Sequence, residues 1–152
     1  MTNEHSGVSR RKLLRTATLT APTRMGAFAV VSGDRNPIHL SEHFAARTPF
    51  GTRIAHGLYT AGLISAVLGT RLPGPGAVYI SQTLNFRAPV RIGDTVDVTV
   101  TVAELVPERR RARLTCTCSV GGETVLDGEA LVKVPRKEEA DPLAARMGGR
   151  PS

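Results

Sequence analysis

Asp34 and His39 stand five residues apart in Ser32-Gly33-Asp34-Arg35-Asn36-Pro37-Ile38-His39, on a loop shaped by Gly33 and Pro37. A carboxylate and an imidazole at that separation can hold one water between them and relay its protons, the work of a general acid–base pair. Fifteen residues beyond His39, Ile54-Ala55-His56-Gly57 opens a helix. The first N–H groups of such a helix lack intrahelical partners and can bind a developing negative charge. Gly57 has no side chain, so a substrate oxygen can approach its backbone N–H closely. Each residue also has a plainer reading. Asp34 would cap the turn at the helix exit, His39 would be a packed or surface histidine, and His56 would hold the loop before the helix, the role favoured for it here.

These groups need elements to carry them. Leu13 to Leu19 suits an edge strand, and Pro22 suits the first turn of a helix. Met25, Phe28, Ala29 and Ser32 follow at helical spacing until Gly33 stops the helix and delivers Asp34 at its exit. Asn36-Pro37 blocks continuation. Ser41 can cap a short helix through about Ala46, with Glu42 in its first turn and His43 on its surface. Gly57 to Gly69 is the longest helical candidate, about 20 Å long, and is expected to be buried in the middle of the fold. Ala61, Ile64, Ser65 and Leu68 share one face of it, and the small residues Gly62, Ser65, Ala66 and Gly69 would let a sheet wrap closely. After the turn Leu72-Pro73-Gly74-Pro75-Gly76 come strands only, over 78–88, 94–106, 111–120 and 123–134, with Gly121-Gly122 as a hairpin signal. One strand, a helical middle third and a four-strand meander predict an α+β fold of about five antiparallel strands against one long helix.

With 152 residues, 41% hydrophobic and 22% charged, the chain has room for one globular domain, expected over 11–134. A flexible tail is expected over 1–10 and a charged, Gly-rich disordered tail over 135–152. The net charge of +7 gathers in Arg10, Arg11, Lys12 and Arg15 and in Arg109, Arg110, Arg111 and Arg113. Neither run is interleaved with aromatics for base stacking, so no nucleic-acid partner is expected. Solvated turns explain the runs, with attraction of an anionic substrate such as a coenzyme A thioester as the functional alternative. Cys116 and Cys118 lack zinc or redox spacing and read as buried hydrophobes in a reducing cytoplasm. No apolar run is long enough to span a membrane. Ser9-Arg10-Arg11-Lys12-Leu13-Leu14 imitates a twin-arginine signal, but the polar, alternating residues after it suit a strand instead.

Four separated motifs carry a resemblance. Phe28-Ala29-x-x-Ser32-Gly33-Asp34-x-Asn36-Pro37-Ile38-His39, Ile54-Ala55-His56-Gly57, Leu72-Pro73-Gly74-Pro75-Gly76 and Gln82-x-Leu84-x-Phe86-x-x-Pro89-Val90-x-x-Gly93-Asp94 closely resemble the MaoC-like, (R)-specific enoyl-CoA hydratases. The motifs cover about residues 24 to 96. The resemblance implies a single hotdog domain, a curved antiparallel sheet wrapped around one central helix and dimerised edge to edge. It also implies a trans-2-enoyl-CoA substrate and no metal or redox cofactor. Its catalytic pair falls on Asp34 and His39 and its oxyanion amide on Gly57. Ser65 matches a substrate-orienting position and Leu68 one lining the acyl pocket, although Ser65 could instead bond the carbonyl one turn back. Asn36 and His56 complete the candidate substrate-binding set. Two competitors remain: a dehydratase acting on carrier-protein substrates, and a non-catalytic acyl-CoA-binding hotdog subunit.

Overall fold

The computed structural model describes residues 13–136 and 139–140. The tail expected over 1–10, and most of the one expected over 135–152, lie outside the described residues.

Strand β1 (Leu13–Leu19) leads into helix α1 (Pro22–Ser32), then the one-turn helices α2 (Pro37–Leu40) and α3 (Glu42–Ala45). The long helix α4 (Gly57–Thr70) follows, and then β2 (Val78–Gln82), β3 (Asn85–Phe86), β4 (Thr95–Val106), β5 (Arg111–Val120) and β6 (Glu123–Lys133). All six strands form one antiparallel sheet in the order β1-β4-β5-β6-β2, with β3 also on β6. The expected α+β arrangement is present.

The meander is β4-β5-β6, not four strands: the chain leaving α4 crosses to the far side and pairs with β6. That first stretch is also two strands, broken after Gln82. The cause lies at Gly128 of β6, where any Cβ would run into the Thr83 carbonyl passing over it. The Thr83 N–H donates to the Glu129 carbonyl and its hydroxyl accepts the Glu129 N–H, which pins the crossing. Gly121 and Gly122 both have positive φ, 56° and 84°, as a tight hairpin turn between β5 and β6 requires.

Alternation decides which face is buried. Val96, Val98 and Val100 of β4 and Leu114, Cys116 and Cys118 of β5 point inward and are fully buried, while their polar neighbours point out. Burying each such aliphatic side chain stabilises the fold by roughly 1.5–3 kcal/mol. Helix α4 meets this face with Thr60, Ile64, Val67 and Leu68. That face is rotated from the expected one: Ile64 and Leu68 point inward, but Ser65 is exposed. Gly62, Ala66 and Gly69 are exposed as well, and so is Leu58 at 62%. The small residues therefore line the side of α4 away from its own sheet, and the helix is only half enclosed. No helix among the described residues is long and apolar enough to cross a membrane.

Candidate active site

Helix α1 ends where Gly33 takes φ 78° and donates its N–H to the Ala29 carbonyl at 3.0 Å. Two side-chain turns follow. The Asp34 Oδ1 atom accepts the Asn36 N–H at 3.1 Å, and the Asn36 Oδ1 atom accepts the Ile38 N–H at 3.2 Å. Asn36 thus caps α2, with Pro37 at its first turn, and its acceptor is committed to that cap. His39 therefore sits on a one-turn helix rather than on an open loop, and this helix turns the imidazole inward to 8% exposure. Its Nδ1–H donates to the Ile54 carbonyl at 2.8 Å, which leaves Nε2 with a free lone pair. That atom is 4.0 Å from Asp34 Oδ2. A water about 2.8 Å from each would subtend an angle of about 90° between them.

The second piece is anchored to the sheet. The Ala55 N–H donates to the Val90 carbonyl at 2.7 Å, and Ile54 bridges Arg91. His56 then caps α4 through its backbone, is 1% exposed, and sends Nε2 to the Asp34 carbonyl at 3.0 Å. Its ring lies 3.9 Å from that of His39 and 4.8 Å from that of Phe28. Gly57 follows, its N–H among those an α-helix leaves without an intrahelical partner. The Phe86 ring rests so close that a Cβ on Gly57 would come within 2.8 Å of it.

Gly57 and Phe86 border two spaces. One, of about 350 Å³, is lined by His39, Ile54, Thr60, Val90, Val125 and Leu126 among others. The other is bounded by Phe28, Asp34 and Leu58. Asp34, His39, His56 and Gly57 are therefore brought together. Ser65 faces a separate groove beside Tyr79 and Gln82, and Leu68 is packed in the core at the far end of α4. Neither lines the cavity that holds His39 and Gly57. Thr60 and Phe86 do, and they carried no assignment in the sequence reading. Phe86 lies inside the Gln82–Asp94 motif, but only the crossing at Gly128 reveals where its ring goes.

Burial pushes the His39 imidazole below its ordinary 6.5. The Ile54 carbonyl opposes that shift, His56 adds to it, and Asp34 opposes it. Near pH 7 the ring is neutral and able to take a proton at Nε2. Asp34, His39 and His56 also offer atoms within 4.8 Å of one another, as a metal site would. The donor set fits poorly. His56 Nε2 carries the proton that bonds the Asp34 carbonyl, and His56 Nδ1 is sealed in protein without a partner among the described residues.

The arginine cluster lies elsewhere. Arg113 pairs with Glu104 and Glu129 at 3.2 and 3.6 Å, and Arg110 with Glu139 at 3.5 Å. Arg111 lies opposite Lys133 in the β5–β6 register, at the other end of β6 from Leu126 of the cavity, about 23 Å away at roughly 3.3 Å per residue. Steering of an anion into this cavity by these arginines gains no support from that placement.

The chain is 89% identical over 122 residues to a 3-hydroxybutyryl-CoA dehydratase of Methylorubrum extorquens, covering 80% of this chain and 78% of that protein. It is 59% identical over 110 residues to an (R)-specific enoyl-CoA hydratase of Rhodospirillum rubrum, covering 72% and 76%. Among solved structures, the (R)-hydratase of A. caviae involved in PHA biosynthesis superposes with a TM-score of 0.81 at 38% identity, over 86% of this chain and 99% of that one. The fold is the hotdog fold of these hydratases. The model of the MaoC like domain matches residues 5–121, more than half of the sequence, and the chain belongs to that family.

Proposed function

We infer that the protein is an (R)-specific enoyl-CoA hydratase, a hydro-lyase that adds water to trans-2-enoyl-CoA and, in reverse, dehydrates (R)-3-hydroxyacyl-CoA. The observation that carries this reading is the 4.0 Å gap between His39 Nε2 and Asp34 Oδ2 beside the N-terminal amide of α4. The names of the relatives point the same way.

The reaction has three requirements, and the site can meet each. A water in the gap gives its hydroxyl to the β carbon while its proton passes to the pair. A proton returns from the pair to the α carbon on the same face, which makes the addition syn. The enolate oxygen formed between these events accepts the Gly57 N–H, aided by the helix dipole. Atoms of water are added and no electrons leave the substrate, so the reaction calls for no redox cofactor. Coenzyme A enters as part of the substrate.

The working unit in this reading is a homodimer. Support comes from the uncovered small-residue face of α4 and from the open edge at β2, where Val78, Tyr79 and Ile80 are exposed. A reducing compartment, the cytoplasm, suits the two free, buried cysteines.

Loss of the conjugated enoyl absorbance of crotonyl-CoA, with chiral analysis of the product, tests the activity. An (R)-3-hydroxyacyl product is expected. Absence of turnover, or an (S) product, would overturn the reading. Faster turnover of a carrier-protein thioester than of the coenzyme A thioester would favour the carrier-protein dehydratase instead.

A further inference from the structure

We propose that His56 is a positioning residue that locks the carboxylate of Asp34, the imidazole of His39 and the amide of Gly57 into one frame, and that it exchanges no proton during turnover. The proposal rests on the hydratase reading for what those three groups do.

Three contacts support it. His56 Nε2 is 3.0 Å from the Asp34 carbonyl, which can only accept, so Nε2 carries the proton. The ring is clasped between Phe28 and His39, at 4.8 and 3.9 Å between centroids and tilted by 57° and 30°. The backbone of His56 caps α4 and leads directly into Gly57. Among the described residues, the Nε2–H bond is the one hydrogen bond joining Asp34 to the start of α4.

The other nitrogen separates positioning from packing and from catalysis. His56 Nδ1 is buried with no hydrogen-bond partner among the described residues. An unpaired buried polar atom costs stability, so packing alone would be served better by an apolar residue of similar shape. What such a residue cannot supply is the donor to Asp34. Nor can His56 serve as an acid or base: one nitrogen is spent on a carbonyl and the other is sealed from the cavity.

The test compares His56→Leu with His56→Gln in the full chain, using steady-state kinetics on crotonyl-CoA. A glutamine amide nitrogen can occupy the place of Nε2 and donate to Asp34. His56→Leu is expected to lower kcat about a hundredfold with KM little changed, the scale of a misplaced reacting group. His56→Gln is expected to restore most of that loss. Equal, severe losses in both folded variants would overturn the proposal in favour of a proton-transfer role. Near-normal turnover in His56→Leu would overturn it in favour of packing. Nitrogen-15 NMR of the unaltered protein at pH 8 provides a check that requires no variant: the Nε2–H form of His56 is expected, and the Nδ1–H form would sink the proposal. An unaltered protein inactive on enoyl-CoA would instead remove the hydratase reading and leave the NMR result standing.

Discussion

His39 Nε2 and Asp34 Oδ2 are 4.0 Å apart, too far for a direct hydrogen bond and close enough for one water to touch both. The spacing is held from outside the pair, by the Ile54 carbonyl on His39 and by the turn that Asp34 makes with Asn36. Asp34→Asn and His39→Ala are each expected to reduce crotonyl-CoA hydration about a hundredfold or more while the protein stays folded. Near-normal turnover in either variant would remove that residue from the mechanism.

The pH profile should carry the mark of the buried imidazole. Because burial lowers the His39 pKa from 6.5, the acid limb of kcat/KM is expected below pH 6.5. The same shift has a sign for stability. The unfolded chain takes up this proton more readily than the folded one. The contribution from neutral His39 is therefore complete above pH 6.5 and declines as pH falls from there towards the folded pKa. An acid limb above 6.5, absent from a His39→Gln control, would contradict the assignment.

Gly57→Ala places a methyl group against the Phe86 ring, which is 55% exposed and free to swing away. The fold should survive with a Tm near that of the unaltered chain. Turnover should fall, because the approach to the amide is narrowed where a lost oxyanion donor costs about 3–4 kcal/mol. Full activity would show that the thioester carbonyl binds elsewhere.

Gly128→Ala offers the opposite contrast. Its Cβ meets the backbone carbonyl of Thr83, which cannot rotate out of the way. A loss of roughly 3 kcal/mol or more is expected in urea or thermal unfolding, from strain at a close backbone crossing. A change below about 0.5 kcal/mol would mean that the crossing can relax.

Much of this was legible in the residues. Strict alternation from Val96 to Val102 could only bury one face of a strand, and Gly33 with Asn36-Pro37 marked where Asp34 leaves its helix. Local chemistry of that kind is written in adjacent residues. The split at Gln82 was not, because its cause is a glycine forty-six residues further along the chain. The orientation of α4 was missed for a related reason. Ala61, Ile64, Ser65 and Leu68 form a plausible stripe, but the sheet selects Thr60 and Val67 with Ile64 and Leu68, and a helix apolar on most sides does not say which side it will bury. The placement of Phe86 over Gly57 needed both facts at once.

The cavity beside Gly57 has walls of two origins. His39, Ile54, Gly57 and Thr60 come from one short run of the chain, while Val90, Val125 and Leu126 belong to the sheet and the turn before it. Under the proposed mechanism, reactivity and fit would be encoded in separate stretches of sequence. Replacements at the second set are then expected to reshape what the enzyme accepts while the groups proposed to handle protons keep their places, which makes Val125 and Leu126 the natural handles for retuning the acyl group.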